Sequence, residues 1–379
     1  MDNWGTNARL ARTALSMGST SGVPSGGLNL MDIPLLEAWA RCSPGAYRAE
    51  PERVYLAFQQ AIGACFIDQF IPRNPLTMSA HGYETDSVTC GPTTGASEIR
   101  ADGMVIDGPE AVARHLQEVV LPRLRAQIEQ FDEGEQYAVT RLIEAERLLQ
   151  KRFGNDLLKV PYGGFQAFPR LRYGQYGYHH YFCAYALYPE LMAEDFRLQA
   201  DLAVLQNRRS ARAIVEGELP AVVRLDHDMA DSRGTLVDVR SLDEIWFPQF
   251  ARAIEPLLAA GVRLLWHCDG NLMAMVPRLL EVGIGGFQGF QYEDGMDYEQ
   301  ICGLKDREGN PLMIWAGVSV TTTLPLGTPT QVRDQLRWLV RHGPPVGLVL
   351  GASSSITPGI PAENLATLVE GLAYYRDHR

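Results

Sequence analysis

Leu264-Leu265-Trp266-His267-Cys268-Asp269-Gly270-Asn271 is an apolar run that stops abruptly in an imidazole, a thiol, a carboxylate and a turn. It reads as a buried strand delivering reactive side chains to one rim. The same ending recurs at Val222-Val223-Arg224-Leu225-Asp226-His227-Asp228, Phe287 to Asp294, Met313 to Gly317 and Leu348 to Gly351. Buried strands that end in polar groups, each followed by a helical pattern, predict an α/β protein. The architecture expected is a TIM (β/α)8 barrel with its site at the C-terminal rim and an extended, partly irregular N-terminal region.

Working outward, residues 1 to 30 predict a flexible arm or lid, since Gly18 to Gly27 is almost entirely Gly, Ser and Thr. A single domain is expected over 31 to 379. Val54, Phe58 and Ile62 recur every fourth residue and predict a helix over Pro51 to Gly63. Ala64 to Ile67 then reads as the first strand. Between Pro109 and Gln150 the spacing predicts two helices broken near Gly134. The aromatic, Gly-punctuated segment 162 to 189 reads as strand and loop, and Pro189 opens a long helix. Thr328-Pro329 and Pro361-Ala362 open the last two helices.

The chain has 379 residues, 46% of them hydrophobic and 21% charged, in the range of ordinary globular proteins. A net charge of −11 without a Lys/Arg stripe argues against a nucleic-acid partner. Six scattered cysteines without a CxxC pair suggest neither a disulfide framework nor a thiolate-rich zinc site, and point to a reducing, cytoplasmic setting. No signal-peptide pattern or membrane-span-length apolar run is apparent, so no membrane association is expected.

Alternation along an extended chain puts Asp226 and Asp228 on one side and His227 on the other. It likewise pairs His267 with Asp269 and sets Cys268 apart. With Glu293 one strand further round, these carboxylates would ring one imidazole. His267, Asp269, Asp228 and Glu293 could hold a divalent metal such as zinc. Without one, His267, Asp269, Asp226, Asp228 and Glu293 would act as acids and bases, because clustered carboxylates raise one another's pKa. In the plainer reading Asp226 and Asp228 cap a turn, and Asp269 shapes the Gly270-Asn271 corner. Arg73 is a candidate carboxylate or phosphate clamp. His179, His180, His227, Asn271 and Ser354 complete the candidate substrate contacts. Cys268 reads mainly as a buried hydrophobe.

From about Ala221 onward the chain resembles the uroporphyrinogen decarboxylase superfamily, which includes corrinoid-dependent methyltransferases. The resemblance rests on Asp226-His227-Asp228-Met229-Ala230, His267-Cys268-Asp269-Gly270-Asn271, Gly283-Ile284-Gly285-Gly286-Phe287 and Tyr292 to Asp297. Gly327-Thr328-Pro329, Ile356-Thr357-Pro358 and Glu363-Asn364 follow in order. It implies a TIM barrel with a deep rim site. Two departures bear on activity. The arginine- and glycine-bearing N-terminal motif that grips substrate carboxylates in the decarboxylases is missing, and their Gly-His-Gly stands here as Ser353-Ser354-Ser355. The zinc-dependent thiol methylators show His-x-Cys and a later cysteine, where this chain has His267-x-Asp269 and Ser354, so only His267 carries over as a ligand. An oxygen-rich metal site favours a hard Lewis acid over thiol activation.

The expectation is therefore a methyltransferase moving a methyl group between a small, O-methylated compound and a corrinoid (cobalamin) protein partner, with zinc in the site. Two alternatives stand beside it: a decarboxylase-like lyase acting on a tetrapyrrole or other carboxylated substrate without metal, and a non-catalytic corrinoid or tetrapyrrole binder. A homodimer is compatible with all three.

Overall fold

The runs that read as buried strands pair side by side in the computed structural model of the protein, which describes residues 4–79, 82–83, 92–93, 96, 98–132 and 136–379. Strands β1 (Phe66–Ile67) and β2 (Leu158–Lys159) form a parallel pair. A second, five-stranded parallel sheet consists of β3 (Val222–Asp226), β4 (Arg263–His267), β5 (Gly286–Gln288), β6 (Met313–Val318) and β7 (Leu348–Ala352), hydrogen-bonded in chain order. Sequential parallel pairing requires a crossover after every strand. These crossovers carry helices such as Phe247–Ala259 between β3 and β4 and Pro329–His342 between β6 and β7. The latter starts at the expected cap, where the Thr328 hydroxyl and the Gln331 side chain satisfy each other's backbone N–H groups.

The strands are buried on both faces, hence their continuous apolar character. One face packs on helices: Trp266 meets Trp246, Phe250 and Phe168 with ring centroids 5.4 to 6.0 Å apart. The other face builds a separate cluster shared by both sheets, with Phe66, Leu158, Val222, Leu265, Met313 and Val349 in contact with Ala8, Ala11 and Leu15. Those last three belong to a helix, Thr6–Leu15.

From residue 4 onward the expected flexible arm is thus packed into the fold. Residues 24–27 lie extended between β7 and β1 and bond to both. Gly26 N–H donates to the Leu350 carbonyl at 3.0 Å, and Gly27 N–H donates to the Phe66 carbonyl at 2.9 Å. Small residues are what this position needs, because a Cβ on Gly27 would stand 2.9 Å from the Ile67 side chain. Low apolar content therefore marked close backbone approach, not freedom to move.

A second expectation also changes. Residues 178 to 187, read as strand and loop, form the helix Tyr178–Leu187 after a short helical turn at Tyr173–Tyr176. Tyr181, Ala184 and Tyr185 fall three and four residues apart on its buried face, so packing overrides the β preference of the aromatics. The predicted helices near Pro109 and Gln150 are present, the latter as Gln136–Phe153, while Gly134 between them lies outside the described residues. No described helix is long and apolar enough to cross a membrane.

Candidate active site

Register decides which side chains meet. His267 is paired with Asp226 on one side and Gln288 on the other, Gln288 with Trp315, and Trp315 with Val349. Neighbours paired in a parallel sheet point to the same face. This row faces a cavity of about 400 Å³ near the C-terminal strand ends, lined also by residues 26–29. Asp226, His267, Asp269 and Ser354, all singled out in the sequence, line it.

The deepest charged group is Arg224, two residues before Asp226 and only 6% exposed. Its guanidinium donates to Asp68 at 2.7 Å, to Asp226 at 3.1 Å, and to the side-chain oxygens of Gln288 and Gln69 at 3.2 Å each. The Tyr162 ring covers it at 4.9 Å, and the Tyr162 hydroxyl donates to Asp226 at 2.9 Å. Burial pushes the Tyr162 phenol up to about 12, which keeps it a donor. Burial opposes charge on Asp226 too, but His267 and Arg224 outweigh it and hold the carboxyl below its ordinary range.

His267 is held by its other nitrogen. Nδ1 lies 3.2 Å from the Gln288 carbonyl, an acceptor only, so Nδ1 carries a proton and Nε2 is the nitrogen left to face a ligand. The ring rests against Gly289, where a Cβ would stand 2.6 Å from Nδ1 and where φ is +76°. Glycine is required there on both counts. Nε2 lies 3.9 Å from Asp226 Oδ1.

Asp228, His267 and Asp269 each offer a ligand atom, and these three atoms lie within 4.8 Å of one another. Asp228 Oδ1 also accepts the Asp269 N–H at 2.9 Å, which ties the two strand ends together. Asp269 Oδ1 is buried with no hydrogen-bond partner. Burial raises the Asp269 pKa, His267 opposes the rise, and Asp228 and Asp226 add to it. A buried, unpartnered carboxylate oxygen beside a second carboxylate and an imidazole nitrogen fits a divalent cation.

Other expected residues lie elsewhere. Glu293 stands exposed on a short turn, accepting from the Ser319 hydroxyl at 3.2 Å, and is outside the Asp228, His267 and Asp269 group. The expected ring is therefore smaller, because the chain turns outward after β5. Arg73 is exposed and does not line the cavity; its neighbour Asn74 does. His179 and His180 sit on the helix Tyr178–Leu187 and are not in the lining. Asn271 shapes the corner instead, accepting the Met273 N–H at 3.2 Å. His227 points away from the cavity: its Nε2 accepts the Leu171 N–H at 3.0 Å, and its ring stacks on Tyr173 at 5.5 Å. Burial pushes it down to about 3, so it is neutral. Cys268 also faces the helix side, where its sulfur accepts the Met229 N–H at 3.2 Å and burial raises its thiol pKa.

Arg224, Asp68, Gln69, Tyr162 and Gln288 were not singled out in the sequence. For Arg224 the signal was present, as a lone cation inside an apolar run at the same parity as Asp226. Asp68 and Tyr162 meet it only across 156 and 62 residues of chain, and nothing local announces such contacts.

No protein-family model matches the chain, and no curated protein matches it. Among solved structures it is similar to a methyltransferase from Methanosarcina mazei, with 16% sequence identity and a TM-score of 0.57. The match covers 97% of this chain and 98% of that one. The two chains are alike in fold along nearly their whole lengths.

Proposed function

We propose that this protein is a methyltransferase of the uroporphyrinogen decarboxylase superfamily, moving a methyl group between a small O-methyl compound and a corrinoid carried by a partner protein. The carrying observation is the group Asp228, His267 and Asp269, gathered beside a 400 Å³ cavity with one carboxylate oxygen unpartnered. The ordered motifs after Ala221 and the likeness in fold to a methyltransferase support the same reading. A (β/α)8 barrel accounts for the strands: five in one sheet, two in the other, and residues 24–27 as the eighth between β7 and β1.

In this reading the cavity takes the substrate and a corrinoid, larger than the cavity, stays with the partner docked over the mouth. The methyl carbon–oxygen bond breaks, the methyl group passes to the partner's nucleophile, and the bonding pair stays on the oxygen, which takes a proton from solvent on release. A divalent cation on Asp228, His267 and Asp269 would supply Lewis acidity toward that oxygen. The chain's own groups prepare the site. The Gln288 carbonyl holds a proton on His267 Nδ1, the Asp269 N–H orients Asp228, and Arg224 keeps Asp226 ionised at the wall.

Elemental mass spectrometry of the purified protein tests this beside a His267→Ala/Asp269→Ala double variant. About one zinc per chain, absent from the variant, is the expected result. A corrinoid spectral change on adding an O-methyl donor should accompany it. A metal-free wild type prepared without chelators, or no spectral change across O-, N- and S-methyl donors, would overturn the reading in favour of a lyase or a binding protein.

A further inference from the structure

Two glutamines flank the Arg224 guanidinium, and they end differently. Each gives it a side-chain oxygen at 3.2 Å, Gln69 to one terminal nitrogen and Gln288 to the other. An arginine only donates, so in both amides the oxygen must face it and the NH2 group must face away. Gln69 spends its Nε2 on the Tyr162 hydroxyl at 3.4 Å. Gln288 Nε2 donates to no described residue and is not sealed inside the protein. The side chain is half-buried and lines the cavity, and this end of it is open there.

This donor differs from the Ser354 hydroxyl in the same lining, which can turn its hydrogen and either give or accept a hydrogen bond. The Gln288 amide has no such freedom, because turning it over would set its NH2 group against the guanidinium. Its backbone is equally fixed. It is paired with His267 on one side and Trp315 on the other, and its carbonyl holds His267 Nδ1. A fixed donor without a protein acceptor is satisfied by water or by a ligand oxygen. Gln288 points to the same face as His267 from the next strand, about 5 Å away. A ligand oxygen bound to it therefore lies beside, and not on, the Asp228, His267 and Asp269 group.

We propose that Gln288 is a specificity-determining residue of the cavity, and that its amide, locked by Arg224, selects substrates with a carbonyl-type acceptor oxygen a few bonds from the methyl ether. The placing of the ether rests on the methyltransferase reading; the donor stands on the cavity alone.

Two ligands of matched shape separate the donor from simple fit. Methoxyacetone carries a carbonyl oxygen, and isobutyl methyl ether carries a methyl branch in its place. Their dissociation constants are measured by ligand-observed NMR titration of the full chain at pH 8. Gln288→Glu keeps an oxygen for Arg224 but replaces the donor with a second acceptor. It should weaken methoxyacetone about tenfold, through one lost hydrogen bond and the repulsion of two acceptors, and change isobutyl methyl ether by less than about twofold. Gln288→Leu removes the donor without adding charge. It should weaken methoxyacetone roughly fivefold while isobutyl methyl ether binds at least as well as before, and it keeps the test if the Glu variant fails to fold. Equal effects on both ligands, no effect on either, or no binding of methoxyacetone to the wild type would overturn the proposal. The expected pattern with no methyl transfer from any O-methyl donor to corrinoid would instead sink the methyltransferase reading and leave the role of Gln288 intact.

Discussion

His227 and His267 end neighbouring strands of one sheet, yet they live in different chemical worlds. His267 faces the cavity with two carboxylates within ligand distance, a proton fixed on Nδ1 by a backbone carbonyl. His227 faces the helices, stacked on Tyr173 and neutral, its Nε2 accepting a backbone N–H. They differ by one step of strand parity. Residue type is therefore a poor guide to role on a sheet; the side of the pleat decides whether an imidazole ligates or packs.

The comparison breaks if exchanging the two sites has similar consequences. The largest effect belongs to His267→Ala, which should lower zinc affinity at least a hundredfold by removing the only nitrogen ligand of the group. His227→Ala should retain the metal. Equal metal loss in both variants, measured by elemental mass spectrometry after equilibration with zinc, would refute the division.

His227→Ala should act on stability instead. Its loss leaves the Leu171 N–H without its acceptor and removes the stacked ring, at a cost of roughly 2 kcal/mol in urea unfolding. The pH dependence sharpens this. An unfolded histidine takes up its proton near pH 6.5, whereas His227 resists it down to about 3 because of burial, with Arg170 acting in the same direction and Asp226 against it. The unfolded chain thus binds more protons between those values. The stability contributed by neutral His227 is complete above pH 6.5 and is lost as pH falls toward 3. The slope reaches at most about 1.4 kcal/mol per pH unit. His227→Gln keeps an acceptor for Leu171 but does not titrate, so its unfolding free energy should fall less steeply over the same range. Parallel curves for wild type and variant would contradict the placement.

The smallest effect is expected at Glu293. Exposed and bonded to Ser319, it should tolerate Glu293→Gln with metal affinity unchanged within about a factor of two. A loss comparable to that of His267→Ala would return Glu293 to the ligand group.

Much of this division was legible along the chain. Period-two alternation assigned Asp226, His267 and Asp269 to one face and His227 and Cys268 to the other; the register holds through Asp226 and His267, and His227, Cys268 and Asp269 keep the alternation for the one or two residues beyond. The strand runs were legible for a related reason, since a parallel sheet covered on both faces demands continuous apolar residues. Glu293 illustrates the limit. It lies five residues past the end of β5, on a turn of its own, where side-chain direction follows the turn and parity no longer applies.

The composition and spacing of residues 222–228 and 264–271 are local properties, and they were enough to establish buried parallel strands and the sidedness of their chemistry. The commitment of Arg224 to Asp68, the lining of the cavity by residues 26–29, and the helical state of residues 178–187 were decided only by tertiary structure. Each depends on partners distant in sequence. A guanidinium reads the same whether it is free or bound, a Gly/Ser run whether it is mobile or tightly enclosed, and an aromatic stretch whether it is strand or helix. The packing around each one makes the difference.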